Sequence, residues 1–341
     1  MRILLVSQMY PGPEDPDLGI FVAQIAEEHE RQGHVVERAV LDRRGGSRAK
    51  YPRLGVDALR RARRFRPDVV FGHFLFPTGL AAAGAAAAVR APLVLMAHGT
   101  DVANVGRIPG VRAATRLATS RARVVIANSR YLRDELLGKL PALAGRVEVI
   151  DCGVDLERFH GRDPASARRE LGWDADGPRF LIVGSLIERK NVARLAEAVE
   201  RLGRGELAVV GDGPLRAELE GRPRLRLVGR VAPERVPDWI AASDVVCQPS
   251  LEEAFGQAVL EAMASERSVV ATKVGGPPEL VTPQAGAIVD PLSVDSIERG
   301  LRTAAELPCP NPAARAAAEP HDVRTQAGRM ASVLERAMES R

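Results

Sequence analysis

Residues 249–264 read PSLEEAFGQAVLEAMA, and residues 274–279 read VGGPPE. Glu253 and Glu261 stand eight residues apart in the first segment. A helix that carried both would hold their carboxylates ~12 Å apart, about the length of a nucleoside diphosphate with a sugar attached. An amphipathic helix with two solvated glutamates would show the same spacing. The spacing alone therefore leaves both interpretations open.

The chain around Phe255, Gly256 and Gln257 is predicted to begin this helix. The N–H groups of a first helical turn have no acceptor within the helix, and the helix dipole places positive charge there. Gly256 also lacks a side chain that would keep a ligand away from the backbone. These residues therefore predict a site for an anion or a cluster of hydroxyl groups.

The pattern P-S-x-x-E-x-F-G-x-x-x-x-E-A-M-A at 249–264, followed by V-V-A-T-x-V-G-G-x-x-E at 269–279, resembles the donor-site signature of glycosyltransferase family 4. The resemblance implies a retaining, metal-independent enzyme with a nucleotide-sugar donor. It further implies that Glu253 contacts the transferred sugar and that Glu261 holds the ribose hydroxyls. The pair Glu266-Arg267 departs from the family, whose members usually carry a Gly-containing turn there.

The resemblance also implies the GT-B fold, in which two Rossmann-like doubly wound α/β domains face each other across a cleft. The residues support this fold class, because apolar runs of strand length alternate with helical patterns in both halves of the chain. The predicted strands are Ile3–Val6, Val35–Val40, Val69–Gly72, Leu93–Ala97, Val124–Ala127, Val147–Ile150, Phe180–Val183, Glu206–Val210, Leu225–Val228, Val245–Gln248, Val269–Ala271 and Ala287–Val289.

We predict an N-terminal acceptor-side domain at 1–157 and a nucleotide-sugar-binding domain at 158–321. The segment Gly153–Pro178 is rich in Asp, Gly and Arg and is interpreted as the connection between them, with a helical stretch near Ser166–Leu171. Residues 322–341 carry a helical stripe. The resemblance implies that this C-terminal helix packs back on the N-terminal domain, although a plain final helix of the second domain would show the same pattern.

Two adjacent cations follow the strand Phe180–Val183, in the sequence GSLIERKN at 184–191. Cations at the end of a strand can neutralise a diphosphate leaving group. The segment resembles the phosphate-clamping element of the family, with Lys190 in the place of its lysine. Ser185 stands where the family usually has an arginine, and Arg189 is the candidate for the missing charge.

His98 follows the strand Leu93–Ala97 in the sequence AHGTD. Taken by itself, a lone histidine at a strand end is usually a hydrogen-bonded structural residue. The His-Gly-x-Asp pattern resembles the sugar-contacting histidine of the family and implies that role for His98. His73 ends another predicted strand and is interpreted as structural or as acceptor-side.

Glycine-containing turns complete the predicted donor site. The loop after the first strand lacks G-x-G-x-x-G spacing, which argues against a nicotinamide cofactor. The family places a glycine loop there that approaches the donor phosphate, and Gly19 is its best match, although a simple strand-to-helix turn would look alike. By the same resemblance, Gly211 and the pair Arg230-Val231 border the base and ribose, although such turns are ordinary by themselves.

The composition is that of a globular protein, with 45% hydrophobic and 27% charged residues among 341. No signal peptide is recognised, and Arg90 and Pro92 interrupt the apolar segment Gly79–Ala97, which predicts a helix and a strand instead of a membrane span. The three cysteines have no paired spacing and indicate neither a zinc site nor a disulfide framework. We expect a cytoplasmic protein that can reach the inner face of the plasma membrane.

The segment Arg43–Arg66 is strongly basic, although the net charge of the chain is only +4. Its cations could meet an anionic membrane, a phosphorylated acceptor or nucleic acid, or could form a solvated helix face. Nucleic acid is disfavoured, because no binding motif or interleaved aromatic residue accompanies the charge. Within this run only Asp57 opposes Arg43, Arg44, Arg48, Lys50, Arg53, Arg60, Arg61, Arg63, Arg64 and Arg66.

Two D-x-D triplets, Asp15–Asp17 and Asp174–Asp176, lie in Pro- or Gly-flanked loops without further ligands, so no metal site is predicted. The resemblance as a whole implies transfer of a hexose-type sugar from a UDP- or GDP-sugar, without any cofactor, to a glycan, a lipid-linked or a small-molecule acceptor. Cell-surface polysaccharide or glycolipid biosynthesis would use such a reaction. A sugar-nucleotide 2-epimerase and a non-catalytic sugar-nucleotide-binding subunit stay open as alternatives.

Overall fold

The computed structural model describes residues 1–339, and these residues form two parallel sheets of six strands each. All twelve predicted strands are present, with no end displaced by more than one residue. The first sheet has the order β2-β1-β3-β4-β5-β6 and the second the order β12-β11-β10-β7-β8-β9. The strands β1 to β12 are Arg2–Ser7, Val35–Val40, Val69–His73, Leu93–Ala97, Val124–Ala127, Val147–Val149, Arg179–Val183, Glu206–Val210, Leu225–Gly229, Val245–Gln248, Ser268–Thr272 and Gly286–Val289.

Helices connect these strands, and strands such as β4 are buried along their whole length. Burial of both faces explains why such strands read as unbroken apolar runs. No helix within residues 1–339 is long and apolar enough to cross a membrane. The helices α1 to α14 are Ile20–Arg31, Lys50–Phe65, Thr78–Val89, Thr100–Ala103, Val111–Arg121, Arg130–Lys139, Pro164–Leu171, Val192–Leu202, Arg216–Leu219, Val236–Ala242, Gln257–Ala264, Val294–Ala305, Pro312–Ala318 and Val323–Glu339.

The chain divides into two compact units. The first comprises Met1–Gly153 together with the chain from Val323 onward, and the second comprises Val154–Asp322. The apolar face of α14 belongs to the core of the first unit, where Met330 and Leu334 are fully buried beside residues of α1 and β1. The last two residues of the predicted segment 322–341 lie outside the described residues.

The segment Gly153–Pro178 is not the separate connection that its composition suggested. Its helix α7 packs on α10, and Phe159 and Trp173 are buried in the core of the second unit. The indole Nε1 of Trp173 donates a hydrogen bond of 2.6 Å to Glu206. Its large apolar side chains therefore place Val154–Pro178 inside the second unit, and the interpretation as a connection was wrong.

The pair Glu266-Arg267 forms a tight turn without glycine. Glu266 adopts the left-handed conformation at φ 58°, which costs about 1–2 kcal/mol for a residue with a side chain. Arg267 is fully buried, and its guanidinium donates to the backbone carbonyls of Arg162, Ala241 and Ser265, among others. These bonds satisfy the buried donors and hold the turn. Hydrogen bonds from a buried arginine therefore hold a turn for which the resemblance led us to expect a glycine.

Candidate functional site

Glu253 lies in the loop after β10, and several donors converge on one of its two carboxylate oxygens. Oε2 accepts hydrogen bonds from Lys190 Nζ at 2.7 Å, Gln248 Nε2 at 3.0 Å and Ser250 Oγ at 3.3 Å. A guanidinium nitrogen of Arg189 lies 3.5 Å from the same oxygen. Oε1 accepts no hydrogen bond from any residue between 1 and 339. One oxygen is thus held by the protein, and the other can still accept hydrogen bonds.

Lys190 and Arg189 reach this carboxylate from the turn after β7. The side chains of Lys190 and Glu253 are each only 13% exposed, so their ion pair is shielded from solvent, and the bonds from neutral donors help to satisfy the carboxylate. Arg189 is 44% exposed and also donates to the backbone carbonyl of Glu252. Ser185, at the position of the usual arginine, is exposed. The structure therefore brings both predicted cations to the predicted sugar-contacting glutamate.

The sequence V-G-G-P-P fixes the backbone of Glu253. Glu253 N–H donates to the carbonyl of Val274 at 3.1 Å, and Gly276 N–H donates to the carbonyl of Glu253 at 2.9 Å. A Cβ atom at Gly275 would lie 1.9 Å from the carbonyl oxygen of Glu253, and Gly275 has a φ of 116°. Only glycine fits this close approach of two backbones.

The helix after Glu253 begins where the sequence predicted, at Gln257, and Gly256 precedes it with a φ of 103°. Glu253 itself precedes the helix, so the spacing of ~12 Å for two glutamates along one helix does not apply. Pairing with the Gly275 segment and the left-handed Gly256 keep the chain around Glu253 out of helical conformation. The N–H groups of Ala258 and Val259 in the first turn have no acceptor among residues 1–339.

Glu261 lies on α11 and is partly buried, whereas Leu260 beside it belongs to the core. Burial raises the pKa of Glu261 to about 7, while the charge of Arg158 and a hydrogen bond from Gln257 act to lower it. A carboxyl group in this state changes its charge near neutral pH. It can donate as well as accept a hydrogen bond, which suits a partner with hydroxyl groups.

The turns after β7, β8 and β9 lie at the same edge of the second sheet as the Glu253 loop, because parallel strands end on one side. Gly211 packs so tightly on Gly184 that an added Cβ would lie 1.9 Å from the carbonyl oxygen of Gly184. Gly211 N–H also donates to Gly229 at 2.8 Å, and the pair Arg230-Val231 follows directly. The structure therefore gathers the predicted donor-site turns of the second unit, and their roles stay predictions.

In the first unit, His98 is hydrogen-bonded on both ring nitrogens. Its Nε2 lies 3.1 Å from Nδ1 of His73, and its Nδ1 lies 3.7 Å from Sγ of Cys152. The rings of Phe21 and Phe74 pack against it. Burial lowers the pKa of His98 to about 3 and also lowers the pKa of His73, so both rings are neutral at pH 7. The predicted contact of His98 with a sugar stays a prediction.

The aspartate of the His-Gly-x-Asp pattern explains the local conformation. Asp101 is buried, and its carboxylate accepts hydrogen bonds from the N–H groups of Leu75, His98 and Gly99 at 2.8–3.1 Å. Burial raises the pKa of Asp101, and these backbone donors act to lower it. Asp101 therefore holds the end of β4 and the start of α4 in place.

Gly19 precedes α1 with a φ of 67°, and a Cβ atom there would lie 2.6 Å from the carbonyl oxygen of Met9. Gly19 thus lets the loop after β1 fold back on itself. In the same loop, Asp15 and Asp17 accept hydrogen bonds from Arg44 at 2.8–2.9 Å. Within residues 1–339 no group of three His, Cys, Asp or Glu side chains is placed to hold a metal ion.

Acidic residues from outside the basic segment neutralise part of its charge. Arg44 meets the two aspartates just described, Arg61 meets Glu37 as well as Asp57, and Lys50 donates to three backbone carbonyls. Six exposed arginines form no ion pair with another residue in the range 1–339. These are Arg48, Arg53, Arg60, Arg63, Arg64 and Arg66.

Sequence reasoning missed two side chains of this site, Gln248 and Ser250. The available signal was a polar residue closing the apolar strand Val245–Gln248, directly before the P-S pair. Nothing in the spacing indicated that Gln248 would be buried and turned toward Glu253.

Two family models match the chain. One is described as Glycosyltransferase Family 4 and matches residues 11–158, and the other is described as Glycosyl transferases group 1 and matches residues 177–306. The two matches therefore divide between the two halves of the chain.

Among similar proteins, a Bacillus subtilis protein named as the teichuronic acid biosynthesis glycosyltransferase TuaC is 32% identical over 240 residues. The match covers 69% of this chain and 60% of that protein. A GDP-mannose-dependent alpha-mannosyltransferase of Mycobacterium tuberculosis is 32% identical over 248 residues, covering 69% of this chain and 63% of the relative. The chain thus spans less than two thirds of the length of these relatives.

Among solved structures, HepE of Anabaena in complex with UDP-glucose superposes with a TM-score of 0.79 at 22% identity. The superposition covers 98% of this chain and 100% of HepE. At this identity the likeness shows a shared fold.

Proposed function

The chain belongs to glycosyltransferase family 4 and has the GT-B fold, and on this basis we propose that it is a retaining, metal-independent hexosyltransferase. The donor would be a UDP- or GDP-sugar, and the acceptor a hydroxyl group of a glycan, a lipid-linked sugar or a small molecule. The observation that carries the proposal is the state of Glu253. Its Oε2 is fixed by Lys190 and two neutral donors, whereas Oε1 has no partner among the described residues.

Lys190 would stabilise the departing diphosphate. Its ammonium group carries three N–H donors and uses one of them on Glu253, so two remain for phosphate oxygens. The exposed guanidinium of Arg189 and the N–H groups at the start of α11 add positive potential at the same edge of the sheet. Donors aimed at the charge that develops in the transition state lower the barrier to departure.

Glu253 Oε1 would accept hydrogen bonds from hydroxyl groups of the sugar, and Glu261 would hold the ribose. The acceptor hydroxyl would attack the anomeric carbon on the face from which the diphosphate departs. The bond from that carbon to the phosphate oxygen breaks as the new glycosidic bond forms, and the departing phosphate takes the proton of the acceptor. His98 is proposed as a further sugar contact, which would require its ring to leave at least one of its present partners.

The relatives support the donor class. HepE has been solved with UDP-glucose, and the mycobacterial relative is named for its dependence on GDP-mannose. TuaC is named for teichuronic acid biosynthesis, and on this basis we propose cell-surface polysaccharide or glycolipid biosynthesis as the setting of the reaction.

A thermal-shift panel of UDP-, GDP- and ADP-sugars, followed by mass spectrometry of the products, tests the proposal. We expect a UDP- or GDP-sugar to raise the melting temperature and its hexose to be transferred to an acceptor. Conversion of the donor without an acceptor would instead identify an epimerase. Binding without turnover would identify a non-catalytic subunit, and binding of no sugar nucleotide would overturn the proposal.

We propose further that the exposed arginines of α2 meet an anionic membrane that carries the acceptor. Arg53, Arg60 and Arg64 recur at helical spacing and share one face, and Val56 beside them is 47% exposed. Each cation near an anionic surface contributes about 1 kcal/mol to binding, and an exposed apolar side chain can enter the interface.

Sedimentation with phosphatidylglycerol vesicles tests this surface. We expect the triple variant R53E/R60E/R64E to lose vesicle binding, because it replaces three cations on one face of α2 by anions, which the anionic vesicle repels. The matched control R169E/R204E/R299E changes the net charge equally at exposed sites of the second unit and should still sediment. Equal sedimentation of the wild type and the first variant would contradict a membrane role for α2.

A further inference from the structure

We propose that Gln248 is a positioning residue, which holds the Glu253 carboxylate so that Oε1 alone faces the donor sugar. The proposal rests on the proposed function of the Glu253 site. Gln248 is the last residue of β10, a strand flanked by β7 and β11, and it is 3% exposed. An amide at this depth needs hydrogen bonds, because burial removes it from water. Its Nε2 donates to Glu253 Oε2 at 3.0 Å.

The bond fixes the orientation of both groups. Only the nitrogen of the amide can face a carboxylate oxygen, because its own oxygen is an acceptor and would be repelled. Lys190 approaches this oxygen of Glu253 from the turn after β7, and Gln248 and Ser250 approach it from the end of β10. Three donors on one oxygen prevent the carboxylate from rotating and leave Oε1 as the acceptor for a ligand.

Gln248 has a task that Lys190 cannot perform alone. In the proposed reaction Lys190 turns part of its charge toward the departing diphosphate, and its bond to Glu253 weakens at that moment. Gln248 and Ser250 are neutral and are not drawn to the phosphate. They keep the carboxylate in place while the charge of Lys190 is shared.

Strand stability does not account for an amide at this position. Gln248 Oε1 is buried and has no hydrogen-bond partner among residues 1–339. A buried acceptor without a partner destabilises the folded state, and a leucine of similar size would avoid that cost. The group that distinguishes glutamine from leucine and has a partner is the nitrogen on Glu253.

The variants Q248L and Q248E test the proposal in steady-state kinetics with the sugar nucleotide found by the thermal-shift panel. We expect Q248L to fold, to bind free UDP or GDP normally, and to lose about 10–100-fold in kcat. The matched control is S243A, since Ser243 precedes β10 at the end opposite Gln248, is fully buried, and its hydroxyl donates to the carbonyl of Ile240. S243A should retain kcat.

Q248E separates positioning from mere packing. The new carboxyl group would face Glu253, Lys190 and Arg189, and when protonated it can donate to Oε2 as the amide does. We expect its kcat to recover as the pH falls, while the wild-type profile lacks this acidic rise. If Q248L fails to fold, the profile of Q248E decides the question.

The outcomes distinguish the two proposals. If the wild type transfers sugar, an unchanged kcat in Q248L or the absence of an acidic recovery in Q248E would overturn the role of Gln248. The proposed function would stand in that case. Failure of the wild type to bind any sugar nucleotide would overturn the proposed function and the role of Gln248 with it.

Discussion

The Glu253 site of the second unit and the His98 site of the first unit are built in opposite ways. At Glu253, cationic and neutral donors crowd one oxygen and leave the other without a partner among residues 1–339. At His98, both ring nitrogens have partners within the unit, and burial keeps the ring neutral at pH 7. A charged site with an unused acceptor is ready for a polar ligand, whereas a neutral, paired ring must first give up a bond.

On the proposed function, we expect the second unit to supply most of the binding energy for the donor. The second unit supplies charge, an oriented carboxylate and a helix start at one edge of its sheet. The first unit supplies a tightly packed strand end, held by the buried carboxylate of Asp101. Substitutions in the second unit should therefore affect turnover more strongly than substitutions around His98.

The largest expected effect is that of K190A. Loss of the ammonium group should lower kcat by about 10²–10³-fold, since charge stabilisation of a leaving group is typically worth about 3–4 kcal/mol in the barrier. The control is K273A in the same unit, because Lys273 is exposed and, within residues 1–339, forms an ion pair only with Asp290. Wild-type kcat in a folded K190A protein would remove Lys190 from the reaction.

A smaller effect is expected for H98A. Loss of one hydrogen bond to a sugar should lower kcat by about 10-fold. The same variant leaves His73 Nδ1 without its partner, which should destabilise the fold by about 1–3 kcal/mol in urea unfolding. A loss of kcat as large as that of K190A would break the comparison, because it would show that the ring of His98 faces the reacting sugar.

The smallest effect concerns stability against pH in the variant E261Q. The pKa of Glu261 rises from its usual 4.5 to about 7 on folding, so the folded protein holds the proton between these values and loses stability as the pH rises through them. Between pH 5 and pH 8, the free energy of unfolding should fall by about 1–3 kcal/mol less in E261Q than in the wild type. Identical pH profiles of the free energy of unfolding in both proteins would contradict burial as the cause.

His98 and His73 should respond in the opposite direction. Their pKa values are lowered on folding, so the unfolded chain binds protons that the folded chain excludes, and stability falls as the pH drops below 6.5. The variant H98F should weaken this acid sensitivity in urea unfolding, whereas E261Q should leave it unchanged.

The strands were predictable because their residues record burial directly. Strands covered on both faces are continuous apolar runs, and the twelve runs in the sequence matched the twelve strands to within one residue. Composition misled only where polar and charged residues accompany a few large apolar ones, as in Gly153–Pro178. There Trp173 decides the packing, and a count of Asp, Gly and Arg does not reveal it.

The site was predictable only in part. Lys190 and Glu253 are 63 residues apart in the chain, and their contact depends on β10 lying next to β7, which no local pattern reveals. The position of Glu253 outside the helix depends on a backbone pairing with Gly275. Gln248 was overlooked because a single polar residue at a strand end carries no sign of the direction of its side chain.

The central claim is that Glu253 holds the donor sugar through Oε1 while its other oxygen stays bound to the protein. A crystal structure of the protein with an unhydrolysed UDP- or GDP-sugar tests it most directly. We expect a sugar hydroxyl about 2.6–3.0 Å from Oε1, with Gln248 and Ser250 still on Oε2. A donor sugar bound through Oε2, or bound without contact to Glu253, would contradict the account.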